Sequence, residues 1–143
     1  MPFVKMWVHI VWTTKRRQKL LSKEIRPLIF KHIHTNALQN NILMDSVGGY
    51  EEHVHSLFRL RNNQTLSEVM RLIKGESSHW INKENLILGK FKWQEDYYAV
   101  SVSESQVVRV RNYIEQQELH HGKMTFEEEY DNFIRKYGFK LKG

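Results

Sequence analysis

Cysteine is absent from these 143 residues, which excludes disulfides, thiolate zinc sites and cysteine nucleophiles. Proline occurs twice and glycine seven times, too few for a long flexible linker, so residues 1–143 are expected to form a single domain. No stretch approaches the roughly 18 apolar residues of a membrane span. The opening run from Met1 to Trp12 carries Lys5 and lacks a small-residue cleavage site, so it reads as a strand rather than a secretion signal. The expectation is a soluble, cytoplasmic chain with no membrane partner. Internal repeats and low-complexity segments are also lacking.

What is present is an apolar fraction of 41%, enough to fill one core, and an aromatic fraction of 12% that argues against disorder. The net charge of +6 makes a polyanion a reasonable partner.

Polarity patterns divide the chain into alternating elements. Val4, Met6, Val8, Ile10 and Trp12 alternate along a first strand, residues 3–13. The basic cluster Lys15, Arg16, Arg17 and Lys19 follows as a loop. Ser22 is positioned to cap a helix that buries Ile25, Ile29, Ile33 and Ala37 and ends at Asn40-Asn41. Strands over residues 42–47 and 53–60 are joined through Gly48-Gly49, read as a turn. Thr65 and Glu68 form a capping box for a second helix, whose buried side is Leu66, Val69, Met70, Ile73, Ser77, Trp80 and Ile81. A fourth strand covers residues 91–102, interrupted near Glu95-Asp96. Ser103 with Gln106 opens a third helix running to about His120 and stopped by Gly122. Thr125 with Glu128 opens a last one, striped by Phe126, Tyr130, Phe133, Ile134 and Tyr137 and ended by Gly138. The order β-α-β-β-α-β plus two helices predicts an α+β fold: a ferredoxin-like, split β-α-β antiparallel sheet with additional C-terminal helices.

His53-Val54-His55 is the first chemical signal. Side chains alternate along a strand, so the two imidazoles share one face and can bind one metal ion through neutral nitrogens. The pair sits in a segment otherwise suited to burial, where unpartnered imidazoles are costly. A third ligand is still required. Tyr113 and Gln117 lie four apart on the third helix, on one flank of its core-facing side, so a phenol and an amide face the same neighbour. A phosphodiester transesterification needs a nucleophile and charge stabilisation on the phosphate. Tyr113 is a candidate for the first. A divalent ion held by His53, His55 and Gln117 is a candidate for the second, and mixed nitrogen and oxygen donors suit Mg2+ or Mn2+ better than structural zinc.

At this point the chain resembles the single-tyrosine HUH transposases of the smallest bacterial insertion sequences, the IS200-like transposases. The resemblance rests on the strand ending His9-Ile10-Val11-Trp12-Thr13-Thr14-Lys15, the His53-Val54-His55 pair, and the helix Leu72-Ile73-Lys74-Gly75-Glu76-Ser77-Ser78. It continues through Phe91-Lys92-Trp93-Gln94 to Tyr98 and through Tyr113-Ile114-Glu115 with Gln117. It implies His53, His55 and Gln117 as metal ligands and Tyr113 as the nucleophile that forms a 5′-phosphotyrosine. It also implies single-stranded DNA with hairpins as substrate, and a homodimer whose subunits can share active sites. A related domesticated group acts on repetitive extragenic palindromes and tends to be longer at its C-terminus. The rivals are a non-catalytic nucleic-acid-binding module on the same fold and a metal-dependent hydrolase using activated water.

Two surfaces are expected to meet DNA. One is Arg71, Lys74, Gly75 and Ser78 on the second helix, with Gly75 read as permitting close approach by DNA or another backbone. The other is Lys15, Arg16 and Arg17. Trp93, Tyr97 and Tyr98 can stack on bases or fill the core, with at least one of the tyrosines assigned to the core. Glu51 and Glu52 either orient a ligand or solvate a turn. His9 is assigned to structure, His120-His121 to a frayed helix end without a role, and Glu127-Glu128-Glu129 to the positive end of the last helix.

Overall fold

A computed structural model of the chain describes residues 2–137, excluding the side chains of Phe133, Ile134 and Tyr137. The expected packing of those three, and the stop at Gly138, therefore lie outside the described residues. Four strands, β1 (Met6–Thr14), β2 (Leu43–Gly49), β3 (His53–Leu60) and β4 (Trp93–Val102), form one antiparallel sheet in the order β2-β3-β1-β4. The helices are α1 (Arg26–Gln39), α2 (Leu66–Lys83), α3 (Val107–Glu115), α4 (Gln117–His121) and α5 (Phe126–Tyr137). The α+β arrangement with its split β-α-β order is as expected. Among the described residues no helix is long and apolar enough to cross a membrane.

Register sorts the side chains. Trp12 pairs with Val54 and Val8 with Phe58, so these residues share a face, which packs with Ile10 against Ile29, Ile33, Ile73 and Ile81 of α1 and α2. The opposite face carries His9, His53, His55 and Leu57, and α3 lies over it. β1 begins at Met6, and Phe3 stands exposed ahead of it. Trp93, offered above as a base-stacking residue, is core: its indole N–H donates to Ser77 Oγ at 2.9 Å, and its ring meets Trp12 and Phe91 edge-on.

The two real capping boxes are those of α2 and α5, where Glu68 and Glu128 backbone N–H groups donate to Thr65 and Thr125 hydroxyls at 3.2 Å. Two others fail. Ser22 supplies its carbonyl, not its hydroxyl, to the turn before α1, and Ser103 opens a short 3-10 turn without a side-chain cap. Gly48-Gly49 is not a turn either. Both residues end β2, and the chain reverses over Tyr50-Glu51-Glu52. A Cβ on Gly48 would lie 2.3 Å from the Ile114 carbonyl oxygen, so this glycine is what lets α3 lie directly on β2. The interruption expected in β4 is a bulge: Gln94, Glu95 and Asp96 stand opposite the single residue Thr13.

Candidate active site

His53 and His55 project from β3 into the layer between the sheet and α3–α5, both essentially without solvent contact. Each is held through Nδ1. Glu52 Oε1 accepts from His53 Nδ1 at 2.8 Å, and His9 Nε2 lies 2.9 Å from His55 Nδ1. The Nε2 atoms of both rings are thereby turned toward one spot, the arrangement by which carboxylates and polar neighbours orient metal-binding imidazoles. Glu52, left open between orienting a ligand and solvating a turn, is buried and holds the His53 ring. His9, assigned to structure, is buried and props His55.

The third helix does not run unbroken to His120. It stops at Gln116, whose φ and ψ of −105° and 25° leave the helical region, and restarts as α4. The break leaves Tyr113 half-buried on α3 and turns Gln117 inward, with Gln117 Oε1 3.0 Å from His53 Nε2. Two clamps fix these helices. Arg111 donates twice to Asp45 on β2, at 2.8 Å each, and Arg26 donates to Glu118 at 2.7 Å while lying over the Tyr50 ring. Tyr50 in turn stacks on His121 at 5.0 Å.

Two residues set aside in the sequence occupy the centre of the site. Glu129, assigned to the helix end, turns inward from α5 beside Phe126, whose ring stacks on His53 at 4.3 Å. Its Oε1 accepts from His55 Nε2 at 3.0 Å and stands 3.3 Å from His53 Nε2. The Tyr113 hydroxyl donates to its Oε2. His121, read as frayed, has a side chain only 2% exposed and places Nε2 3.3 Å from Glu129 Oε2. Both readings are corrected here, and one signal could have found Glu129: it lies three residues after Phe126, on the apolar side of α5, while Glu127 and Glu128 are exposed.

Burial and charge divide the ionisable groups. Burial pulls the His53 imidazole down, but the carboxylates of Glu129 and Glu52 outweigh it and push it up to about 9. Burial, with His55 beside it, holds His9 down to about 3, so His9 is neutral. Burial also lowers His55 against the pull of Glu129. For Glu129 burial acts upward, yet the hydrogen bonds of His121, His53 and His55 hold its carboxyl far below the usual range.

The donor set fits a divalent ion. His53, His55 and Glu129 each offer a ligand atom, all within 4.8 Å of one another, and Gln117 adds an amide oxygen. Two nitrogens and two oxygens without sulfur match the hard-to-intermediate cations. A cleft of about 550 Å³ opens beside Tyr113, lined among others by Ser101, Arg109, Met124, Glu129 and Lys136.

The residues expected to meet DNA are dispersed more unevenly. Arg71 and Gly75 are exposed on α2, and a Cβ on Gly75 would meet no other element within 4 Å among the described residues. Ser78 donates to the Gly75 carbonyl at 3.1 Å. Lys74 is turned into the fold, its ammonium donating to the carbonyls of Gln94 and Glu95 at 2.5 and 2.7 Å. Lys15 and Arg16 are exposed, and Arg17 lies over the Phe126 and Tyr130 rings. Arg16 and Arg17 both adopt positive φ, 58° and 53°, and Arg16 N–H donates to Gln94 Oε1 at 3.2 Å. The two basic patches therefore meet at the β4 bulge.

Residues 2–117 match the family model described as Transposase IS200 like. The ISDra2 transposase TnpA of Deinococcus radiodurans is 26% identical over 115 residues, which cover 76% of this chain and 81% of that protein. A crystal structure of a candidate transposase from Deinococcus radiodurans R1 has a similar fold, with a TM-score of 0.64 and 22% identity over 81% of this chain and 93% of that one. So does a REP-associated tyrosine transposase bound to a REP hairpin, with a TM-score of 0.61 and 17% identity over 87% and 73% of the two chains. The matched stretch ends at Gln117, so His121 and Glu129 lie beyond it.

Proposed function

Because this chain belongs to the IS200-like transposase family, which implies DNA strand transfer, we propose that it cleaves and rejoins single-stranded DNA through a covalent bond to Tyr113. The observation that carries this reading is the convergence, within one chain, of the Tyr113 hydroxyl, the Gln117 amide and the His53 and His55 imidazoles around Glu129.

The Tyr113 oxygen attacks the phosphorus of a phosphodiester from the side of the cleft. The bond from phosphorus to the 3′ oxygen breaks, and that oxygen takes up a proton to leave as a 3′-hydroxyl. Glu129 orients the phenol by the hydrogen bond it accepts. The phenolic proton leaves to solvent through the cleft, and solvent supplies the proton taken up by the 3′ oxygen. The phosphoryl group stays on Tyr113 as a 5′-phosphotyrosine, and attack by a 3′-hydroxyl on that linkage rejoins a strand without a nucleotide cofactor. His53, His55 and Gln117 would hold Mg2+ or Mn2+, which supplies Lewis-acid stabilisation of the non-bridging oxygens when bound. Arg71, Ser78, Gly75 and the Lys15–Arg17 turn form the DNA surface, with Lys74 shaping it through the β4 bulge. The substrate is hairpin-bearing DNA at the ends of an insertion sequence, and the working form is a cytoplasmic homodimer. The related structure solved with a hairpin supports hairpin DNA as the first substrate to try.

The test is incubation with single-stranded hairpin DNA and Mg2+ or Mn2+, resolved on a denaturing gel. A protein–DNA band must form in the unaltered chain and vanish in Tyr113→Phe, a loss of at least about a thousandfold. Persistence of the band moves the nucleophile elsewhere. Cleavage without any band favours a hydrolase, and binding without cleavage in either chain favours a non-catalytic module.

A further inference from the structure

We propose that Glu129 is a fourth ligand of the metal centre, binding through Oε1 while Oε2 sets the Tyr113 phenol beside it. The inference rests on the metal-assisted reading above and adds to it a residue of α5, beyond the stretch that the family model covers.

Three observations carry it. The first is distance. Oε1 of Glu129 is 3.0 Å from His55 Nε2 and 3.3 Å from His53 Nε2, and Gln117 Oε1 is 3.0 Å from His53 Nε2. An octahedral ion with bonds of 2.0–2.1 Å separates adjacent donor atoms by about 3 Å. These three separations match adjacent positions around one such ion, which would replace the hydrogen bonds between the groups.

The second observation is placement. The Glu129 side chain is 7% exposed and sits on the inward side of α5, where an apolar residue would pack with less cost. Its neighbours Glu127 and Glu128 face solvent, so the helix-end charge alone does not require a third carboxylate turned inward. The third is division of labour within the carboxylate. Oε1 meets the imidazoles of β3, whereas Oε2 accepts from Tyr113 and approaches His121. One group thus links the nucleophile to the metal-binding atoms.

The opposite role, a carboxylate that fills the ion's place and must be expelled, makes the opposite prediction. Metal-free full-length protein is titrated with Mn2+ by calorimetry, with circular dichroism confirming that each variant is folded. Glu129→Gln and Glu129→Ala are expected to weaken Mn2+ binding about tenfold or more, the scale seen when groups around a metal are removed. On the unaltered chain, Mn2+ must also shift a carboxylate stretching band in the infrared. Binding within twofold of the unaltered chain in a folded variant, tighter binding, or an unmoved carboxylate band overturns the inference. His53→Ala separates the two levels. If it abolishes binding while Glu129 variants do not change it, only the role of Glu129 fails. If it leaves binding intact, or the unaltered chain binds no Mn2+, the metal centre itself fails.

Discussion

On one face of the sheet Ile10, Trp12, Val54 and Phe58 pack against α1 and α2. On the other, His9, His53 and His55, taken from the same two strands, are buried beneath α3–α5. The two faces handle polar atoms differently. The apolar face leaves the Trp12 indole N–H and the Ser56 hydroxyl without a hydrogen-bond partner among the described residues. Both are neutral, and leaving each unpaired costs about 1–3 kcal/mol. On the polar face His121 Nε2 also lacks a well-aligned hydrogen bond among the described residues, though it lies 3.3 Å from Glu129 Oε2. The charged groups there are paired, because an unpaired buried carboxylate or imidazolium costs far more. Its groups are chained instead: Glu52 to His53, His9 to His55, Glu129 to both imidazoles and to Tyr113. The first face supplies rigidity. The second holds reactive groups on that rigid support, where small displacements matter.

Breaking the first face should cost stability and spare chemistry. Phe58→Ala is expected to lower the unfolding free energy by about 3–5 kcal/mol, read by denaturant unfolding, with cleavage per folded molecule retained. A matching loss of cleavage would mean the two faces are not separable. Gly48→Ala attacks the second face by pushing on Ile114, next to Tyr113. It is expected to cost about 1–3 kcal/mol, and unlike Phe58→Ala to slow cleavage in molecules that remain folded. Unchanged cleavage would show that α3 tolerates displacement.

The smallest effect belongs to the Arg111–Asp45 clamp. The Arg111 hydrogen bonds hold the Asp45 carboxyl below its ordinary 3.8, burial opposing. A depressed folded value means that the clamp stabilises above pH 3.8 and that the benefit fades as pH falls through the folded value. Because the pair is only partly buried, solvent screening keeps its share small. The stability gap between the unaltered chain and Asp45→Asn should therefore be small at neutral pH and close in acid. A gap that widens in acid would reverse the assignment.

Much of this was legible in local pattern. The alternation in β1 and β3 places His53 and His55 on one face, and the Thr65–Glu68 and Thr125–Glu128 boxes mark two helix starts that the structure has. Gly48-Gly49 misled because a glycine pair serves a close backbone approach as well as a turn, and only the position of Ile114 distinguishes them. Lys74 misled similarly: on a helix surface its charge looks available, but the β4 bulge turns three carbonyls toward it.

By itself the sequence determined the order of elements, the two faces of each strand and the pairing of two imidazoles on one of them. These follow from periods of 2.0 and 3.6 residues and need only neighbouring positions. Tertiary structure alone decided that Glu129 closes on His55 across 74 positions and Gln117 on His53 across 64. It also decided that His121 is buried rather than frayed. Such contacts depend on how helices cross a sheet, and no repeat along the chain encodes that crossing.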